Sequence, residues 1–414
     1  MRLTLIALAL LALAACSKDK EIDPPAELTE FSQTLKVDRA WDAGVGGEKD
    51  PLRLGLSLAV VGERVYAAGR DGDVAAFEVK SGKQLWRSHV KAPLAGGPGA
   101  GGELVVVGTS DGQAIAINAA DGSTRWKVPV GGEVLSAPAV GATSVIVRTV
   151  DGRLRALANA DGRELWFYEQ PVPKLSLRGT AQPVIVGDVV ICGFDNGKVA
   201  SVSMADGSLV WEATVAPSRG RTELERLVDI DSAIQVVGNE IYVVGFQGRV
   251  AKLALDSGQV WWARDASSYR GIALDDDNLY FADAAGEVVA LRKDNGVELW
   301  RQGALKYRGL SAVAAHGDAV AVADFEGYVH WLDKATGGLA ARMATGGKRV
   351  SNPPVVAGDE LLVINDVGHV SAFRVAGAVA AKRAKRAPAA EPVAPESAPA
   401  PAEPAAPESV PPPQ

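Results

Sequence analysis

Four histidines and two cysteines are the chain's whole stock of imidazoles and thiols across 414 residues. His89, His316, His330 and His369 are expected in different repeat units, and none has the spacing of a metal-ligand set. His316 and His369 sit beside turn glycines and are expected at the surface. Asp-Gly pairs such as Asp71-Gly72, Asp111-Gly112 and Asp151-Gly152 superficially suggest calcium loops. They lack the ligand series of an EF-hand, and turn chemistry accounts for them. Cys192 lies in the apolar run Val189-Val190-Ile191-Cys192-Gly193 and reads as a buried, inert thiol. No catalytic residue, metal ligand or cofactor is assigned. The chemistry that remains is recognition. Two polar-apolar segments stand out, one holding Leu175, Leu177 and Arg178, the other Asp229 and Asp231.

The elements that must position these residues form a repeat. Glycine pairs ten residues apart recur seven times: Gly72/Gly82, Gly112/Gly122, Gly152/Gly162, Gly197/Gly207, Gly248/Gly258, Gly286/Gly296 and Gly327/Gly337. An eighth first glycine, Gly368, has Ala378 where its partner would stand. In the first six units a Trp follows the second glycine by four residues: Trp86, Trp126, Trp166, Trp211, Trp262 and Trp300. Unit seven has Ala341 there. Asp-Gly and Asn-Gly supply the positive φ of tight hairpin turns. Apolar runs between turns spaced by about ten residues signal short strands. Four strands in about 40 residues make one propeller blade. The recurring Trp is expected to wedge neighbouring blades rather than stack on a ligand.

The predicted fold is therefore all-β, an eight-bladed β-propeller of four-stranded blades. Unit eight loses the repeat after Phe373-Arg374-Val375 and lacks a fourth strand. Leu35-Lys36-Val37-Asp38-Arg39-Ala40-Trp41 reads as an outer strand with no blade before it. Pairing the two closes the ring and hides sheet edges that would otherwise invite aggregation.

The ends carry location. Residues 1–15 form a short apolar core after Arg2, too short to span a membrane and suited to a signal peptide. Leu13-Ala14-Ala15-Cys16 resembles the bacterial lipobox, which implies that Cys16 becomes the acylated N-terminus; several acyl chains hold a membrane firmly. Ser17 in place of Asp implies the outer membrane. Residues 16–33 are the expected tether and 34–376 the propeller. Residues 377–414 run from a basic cluster, Lys382-Arg383-Ala384-Lys385-Arg386, into a Pro/Ala/Glu-rich tail whose composition cannot bury a core. The formal net charge of −7, with no basic stripe, argues against nucleic-acid binding.

Departures from the repeat are where function is sought. Among the six units that carry the repeat Trp, the Trp-to-glycine intervals Trp166–Gly197 and Trp211–Gly248, of 31 and 37 residues, exceed the 24 to 27 of the other four. These enlarged blade-to-blade connections are consecutive, so they stand side by side on one face. The first holds Pro171 to Gly179 and the second Arg219 to Asp231. Apolar residues beside Arg and Asp on adjacent loops fit a protein-binding patch. Leu175 and Leu177 are equally readable as part of the opening strand of blade four. Arg178 is expected at the interface, with Asp229 and Asp231 holding it or meeting a basic partner residue.

The stretch Gly286-Glu-Val-Val-Ala-Leu through Gly296-Val-Glu-Leu-Trp300 resembles the quinoprotein-like propeller repeat. With the lipobox, the tether, Leu175-Ser-Leu-Arg-Gly179 and Arg221-Thr-Glu-Leu-Glu-Arg-Leu-Val-Asp-Ile-Asp231, residues 1 to about 376 resemble the BamB family, lipoproteins of the outer-membrane β-barrel assembly machinery. The resemblance implies a non-enzymatic scaffold on the periplasmic side of the outer membrane. It would bind the POTRA domains of BamA through Leu175, Leu177, Arg178, Asp229 and Asp231 and assist assembly of outer-membrane proteins. The Pro/Ala-rich tail departs from that pattern. Two other readings are a quinone-cofactor dehydrogenase, whose long insertions and vicinal Cys pair are missing here, and a lipoprotein that binds carbohydrate or cell wall.

Overall fold

A computed structural model describes residues 23–46 and 55–378, and within them every regular element is a β-strand. Eight antiparallel sheets follow one another around a ring. Blade one shows the pattern: strands Ala59–Val61, Arg64–Ala68, Asp73–Glu78 and Gln84–His89 pair in sequence order. The second and third strands of each blade are almost wholly buried, while the fourth alternates and, where it carries the repeat Trp, turns that Trp inward. This is the period-two pattern of a strand with one solvated face.

The ring closes as expected. Leu35–Gly44 pairs antiparallel with His369–Ala378, placing Trp41 opposite Ala372 and Gly44 opposite His369. Asp42 clasps the seam from the N-terminal side, accepting from the Ser371 hydroxyl at 2.7 Å and lying 3.1 Å from His369 Nε2. Blade two gains a short fifth strand, Gly55–Leu56, which runs parallel to Leu94–Gly101.

One contact recurs at seven blade boundaries. The outer-strand Trp of each blade packs on the second glycine of the next, from Trp41 on Gly82 to Trp300 on Gly337. A β-carbon on those glycines would stand 2.4–2.8 Å from the indole. Each indole N–H also donates to a backbone carbonyl of the next blade at 2.7–3.2 Å, so the burial of the ring leaves no polar group unpaired. The eighth boundary lacks both partners at once: Ala341 replaces the Trp, and Ala378 continues a strand where the glycine turn would be. There Trp331, from the third strand of blade seven, fills the space. It is fully buried, meets Phe373 edge-on with ring centroids 5.5 Å apart, and donates Nε1–H to His316 Nδ1 at 3.1 Å.

Two expectations about histidine are corrected here. His316 and His330 both belong to blade seven, in strands Val313–His316 and Tyr328–Asp333. His316 is buried, not superficial, because strand alternation turns it toward Trp331 and the Asp359 carbonyl, 3.0 Å from its Nε2. Blade seven and the connection that leads into it also hold the chain before the first strand. Ala26 N–H donates to the Lys306 carbonyl, Arg308 to the Ala26 carbonyl, Arg342 to the Thr29 carbonyl, and Thr34 N–H to the Ala340 carbonyl, all at 2.9–3.1 Å. Arg342 also covers the Phe31 ring at 5.1 Å.

Candidate protein-binding face

In a four-stranded meander the turns alternate between the two ends of the blade. The connections between blades therefore share a face with the first-glycine hairpins, and the second-glycine turns lie on the opposite face. The two enlarged connections are neighbours on the former. Neither Leu175 nor Leu177 lies in a strand: blade four opens at Val184–Val186. Leu175 is 41% exposed and Leu177 half-buried. Arg178 is 54% exposed and its Nη2 donates to Glu133 Oε1 at 2.7 Å. Its ion pair thus runs to the preceding blade connection rather than to Asp229 or Asp231.

Those aspartates work underneath. Asp229 is fully buried; its backbone bridges Phe246, and its Oδ2 accepts from the Leu177 amide at 3.1 Å. Asp231 lies against Gly179, where a β-carbon would come within 2.6 Å of its Oδ2. The second enlarged loop is therefore bolted to the first. Asp195 completes the cluster, with one oxygen of each of the three carboxyls within 4.8 Å of the others. It pairs at 3.1 Å with Arg148, which also donates to the Thr149 carbonyl and lies over the Phe194 ring. Burial raises the affinity of all three carboxyls for protons. Asp229 is pushed up to about 7, helped by the charge of Asp195, and Asp231 goes well above the usual range because Asp229 adds repulsion. Asp195 is raised too, against the pull of Arg148.

Beside this cluster a cavity of about 510 Å³ opens on the same face, with Leu177, Arg178, Phe246, Tyr269, Arg270 and Asn352 in its wall. Phe246 and Tyr269 meet edge-on, and Arg270 covers the Tyr269 ring at 4.6 Å. Leu224, in the second loop, is 67% exposed. The arrangement suits holding loops in place for a protein partner. Asp229 has no access to a substrate, and burial pushes the Cys192 thiol up to about 12, which keeps it protonated and inert. Sequence reasoning missed Glu133, Leu224 and the Arg148–Asp195 pair. Only Leu224 carried a signal, as a large apolar residue within a charged loop. Cys16 lies outside the described residues.

A family model described as outer membrane protein assembly factor BamB matches residues 26–93, 70–302 and 284–402. The outer membrane protein assembly factor BamB of Pseudomonas aeruginosa is 44% identical over 371 residues, spanning 90% of this chain and 98% of the relative. The crystal structure of BamB from Moraxella catarrhalis superposes with a TM-score of 0.75 at 27% identity, covering 82% of this chain and 100% of that one. A quinohemoprotein alcohol dehydrogenase from Comamonas testosteroni shares the fold alone, at 12% identity and a TM-score of 0.65 over 82% of this chain and 77% of its own.

Proposed function

Because the chain belongs to the BamB family of outer membrane protein assembly factors, we propose that its two enlarged loops form the docking face for the POTRA domains of BamA. Membership makes the protein a non-enzymatic component of the Bam complex and an outer-membrane lipoprotein facing the periplasm. The lipid is carried by Cys16. On the docking face Arg178 is the polar anchor and Leu175 its apolar neighbour. Leu177, Asp229 and Asp231 set the shape of the surface beneath them.

The observation that carries this reading is the bolt between the loops. The two enlarged blade connections are joined by the Leu177 amide and the buried Asp229 carboxylate, yet they leave Leu175, Arg178 and Leu224 facing solvent. A fixed backbone presenting an Arg among exposed apolar side chains is the composition of an interface hot spot. Capture of BamA from detergent-solubilised membranes tests it. Arg178→Ala should weaken capture markedly, whereas Arg163→Ala, at a second-glycine turn on the opposite face, should leave it unchanged. The reverse pattern would place the docking face elsewhere.

A further inference from the structure

The carboxyls of Asp229 and Asp231 present a problem that the loops alone do not resolve. Oδ1 of each is buried without a hydrogen-bond donor, while an Oδ2 serves Leu177 on one side and crowds Gly179 on the other. The charges facing them are Asp195, a third carboxylate from the first-glycine turn of blade four, and Arg148 from blade three, whose Nη2 is engaged by Asp195. The remaining ion pair on these loops, Arg178 with Glu133, points outward. Two buried carboxylates and the half-buried one of Asp231, with one guanidinium, cannot all stay ionised without large cost, and the two orphaned Oδ1 acceptors lack a hydrogen.

We propose that Asp231 keeps its proton in the folded protein and donates it to Asp229, so that one proton latches the second enlarged loop to the first and fixes the backbone from Leu177 to Gly179. The latch supplies the missing donor and removes one negative charge. It also leaves Asp229 as the carboxylate that accepts from the Leu177 amide. Asp231 is on this account a positioning residue that touches no partner. The direction in which burial and Asp229 drive the Asp231 carboxyl agrees with this assignment. The proposal rests on the docking reading above in making BamA affinity its output, but the latch itself has a readout within the isolated protein.

Two substitutions at one position provide the test, made in the full-length lipoprotein in detergent. Asp231→Asn keeps a neutral side chain whose amide N–H can donate to Asp229; Asp231→Ala leaves that acceptor bare. Hydrogen exchange at the Leu177 amide should stay slow in the wild type and Asp231→Asn. It should accelerate by about tenfold or more in Asp231→Ala, the scale set by a buried acceptor left unpaired. BamA affinity should follow the same order, and wild-type affinity should fall toward alkaline pH while that of Asp231→Asn stays flat. The latch is overturned if Asp231→Asn loses both protection and affinity as Asp231→Ala does, because an ionised Asp231 would then be required. It is equally overturned if EDTA abolishes wild-type binding and calcium restores it, which would put a cation rather than a proton among the carboxyls. Failure of the docking reading has a separate signature: Arg178→Ala binding BamA like wild type while Leu177 exchange still follows the Asn and Ala pattern.

Discussion

A β-carbon built on Gly122 would stand 2.6 Å from Cε3 of Trp86, across the boundary between blades one and two. The glycine is needed twice over, since its φ of 78° is also one that side chains avoid. Gly62 separates the two demands: its φ is 58°, but nothing lies within 4 Å of a β-carbon there. Gly62→Ala should cost about 1 kcal/mol from backbone strain. Gly122→Ala should cost roughly 2–4 kcal/mol, because overpacking adds its own 1–3. Urea unfolding midpoints measure both, and equal losses would mean that the wedge yields without strain.

A second prediction concerns pH. His316 accepts from Trp331 at Nδ1 and faces the Asp359 carbonyl with Nε2, so only the neutral ring satisfies both partners. Burial lowers its pKa below 6.5, and burial does the same to His330. A pKa depressed in the fold means that the unfolded chain binds the extra proton. The stability from a neutral His316 is therefore full above about 6.5 and lost as pH falls below it. The carboxyls of Asp229 and Asp231 act with the opposite sign, their contribution fading as pH rises from about 4 through about 7 and beyond. Melting temperature followed from pH 7.5 to 5.5 should fall less steeply in His316→Gln than in the wild type, though from a lower start. His330 keeps part of the slope.

These two sites mark what the sequence could and could not reveal. The wedge was legible because it rests on two residue types at fixed spacing, each with a conformational or volumetric need that no other residue meets. The closing strand was legible for the same reason, through Trp41. The unusual boundary at Ala341 was visible only as a gap, since its substitute, Trp331, stands on a different strand. His316 looks superficial in the sequence because it precedes Gly317, but its place in the alternation of Val313–His316 turns it inward. At the proposed docking face, loop lengths single out the two connections but not their contacts. The pairing of Arg178 with Glu133 and of Asp229 with Leu177 joins residues 45 and 52 positions apart, and nothing local in the chain encodes such partners.

A third prediction follows from the way the N-terminal segment is held. Ala26 to Thr34 is fastened to blade seven and the connection that leads into it by backbone bonds and by Arg308 and Arg342, ten residues or more beyond Cys16. Loss of the lipid should leave those contacts untouched. Cys16→Ser is expected to give a soluble periplasmic protein with an unchanged melting temperature, and metabolic palmitate labelling should mark the wild type alone. Label on the Ser variant would refute acylation at Cys16.

The last prediction separates binding from folding on the proposed docking face. Leu175 and Leu224 are 41% and 67% exposed, so truncating either removes little buried surface and should shift the melting temperature hardly at all. Leu177 is half-buried in the cavity wall and its backbone is tied to Asp229, so Leu177→Ala should lower stability and affinity together. Truncating an exposed apolar anchor at a hot spot costs about 1–2 kcal/mol, which is roughly a five- to thirtyfold loss of affinity. Leu175→Ala and Leu224→Ala should each show a loss of that size toward BamA with their thermal transitions superimposed on the wild type. The exposed pair Arg178–Glu133 contributes little to stability because solvent screens it. Glu133→Gln should therefore also leave the transition in place while freeing Arg178 to move, giving a smaller loss than Arg178→Ala. Should Leu224→Ala bind normally while Leu175→Ala does not, the docking face is confined to the first loop, and the second serves only to hold it.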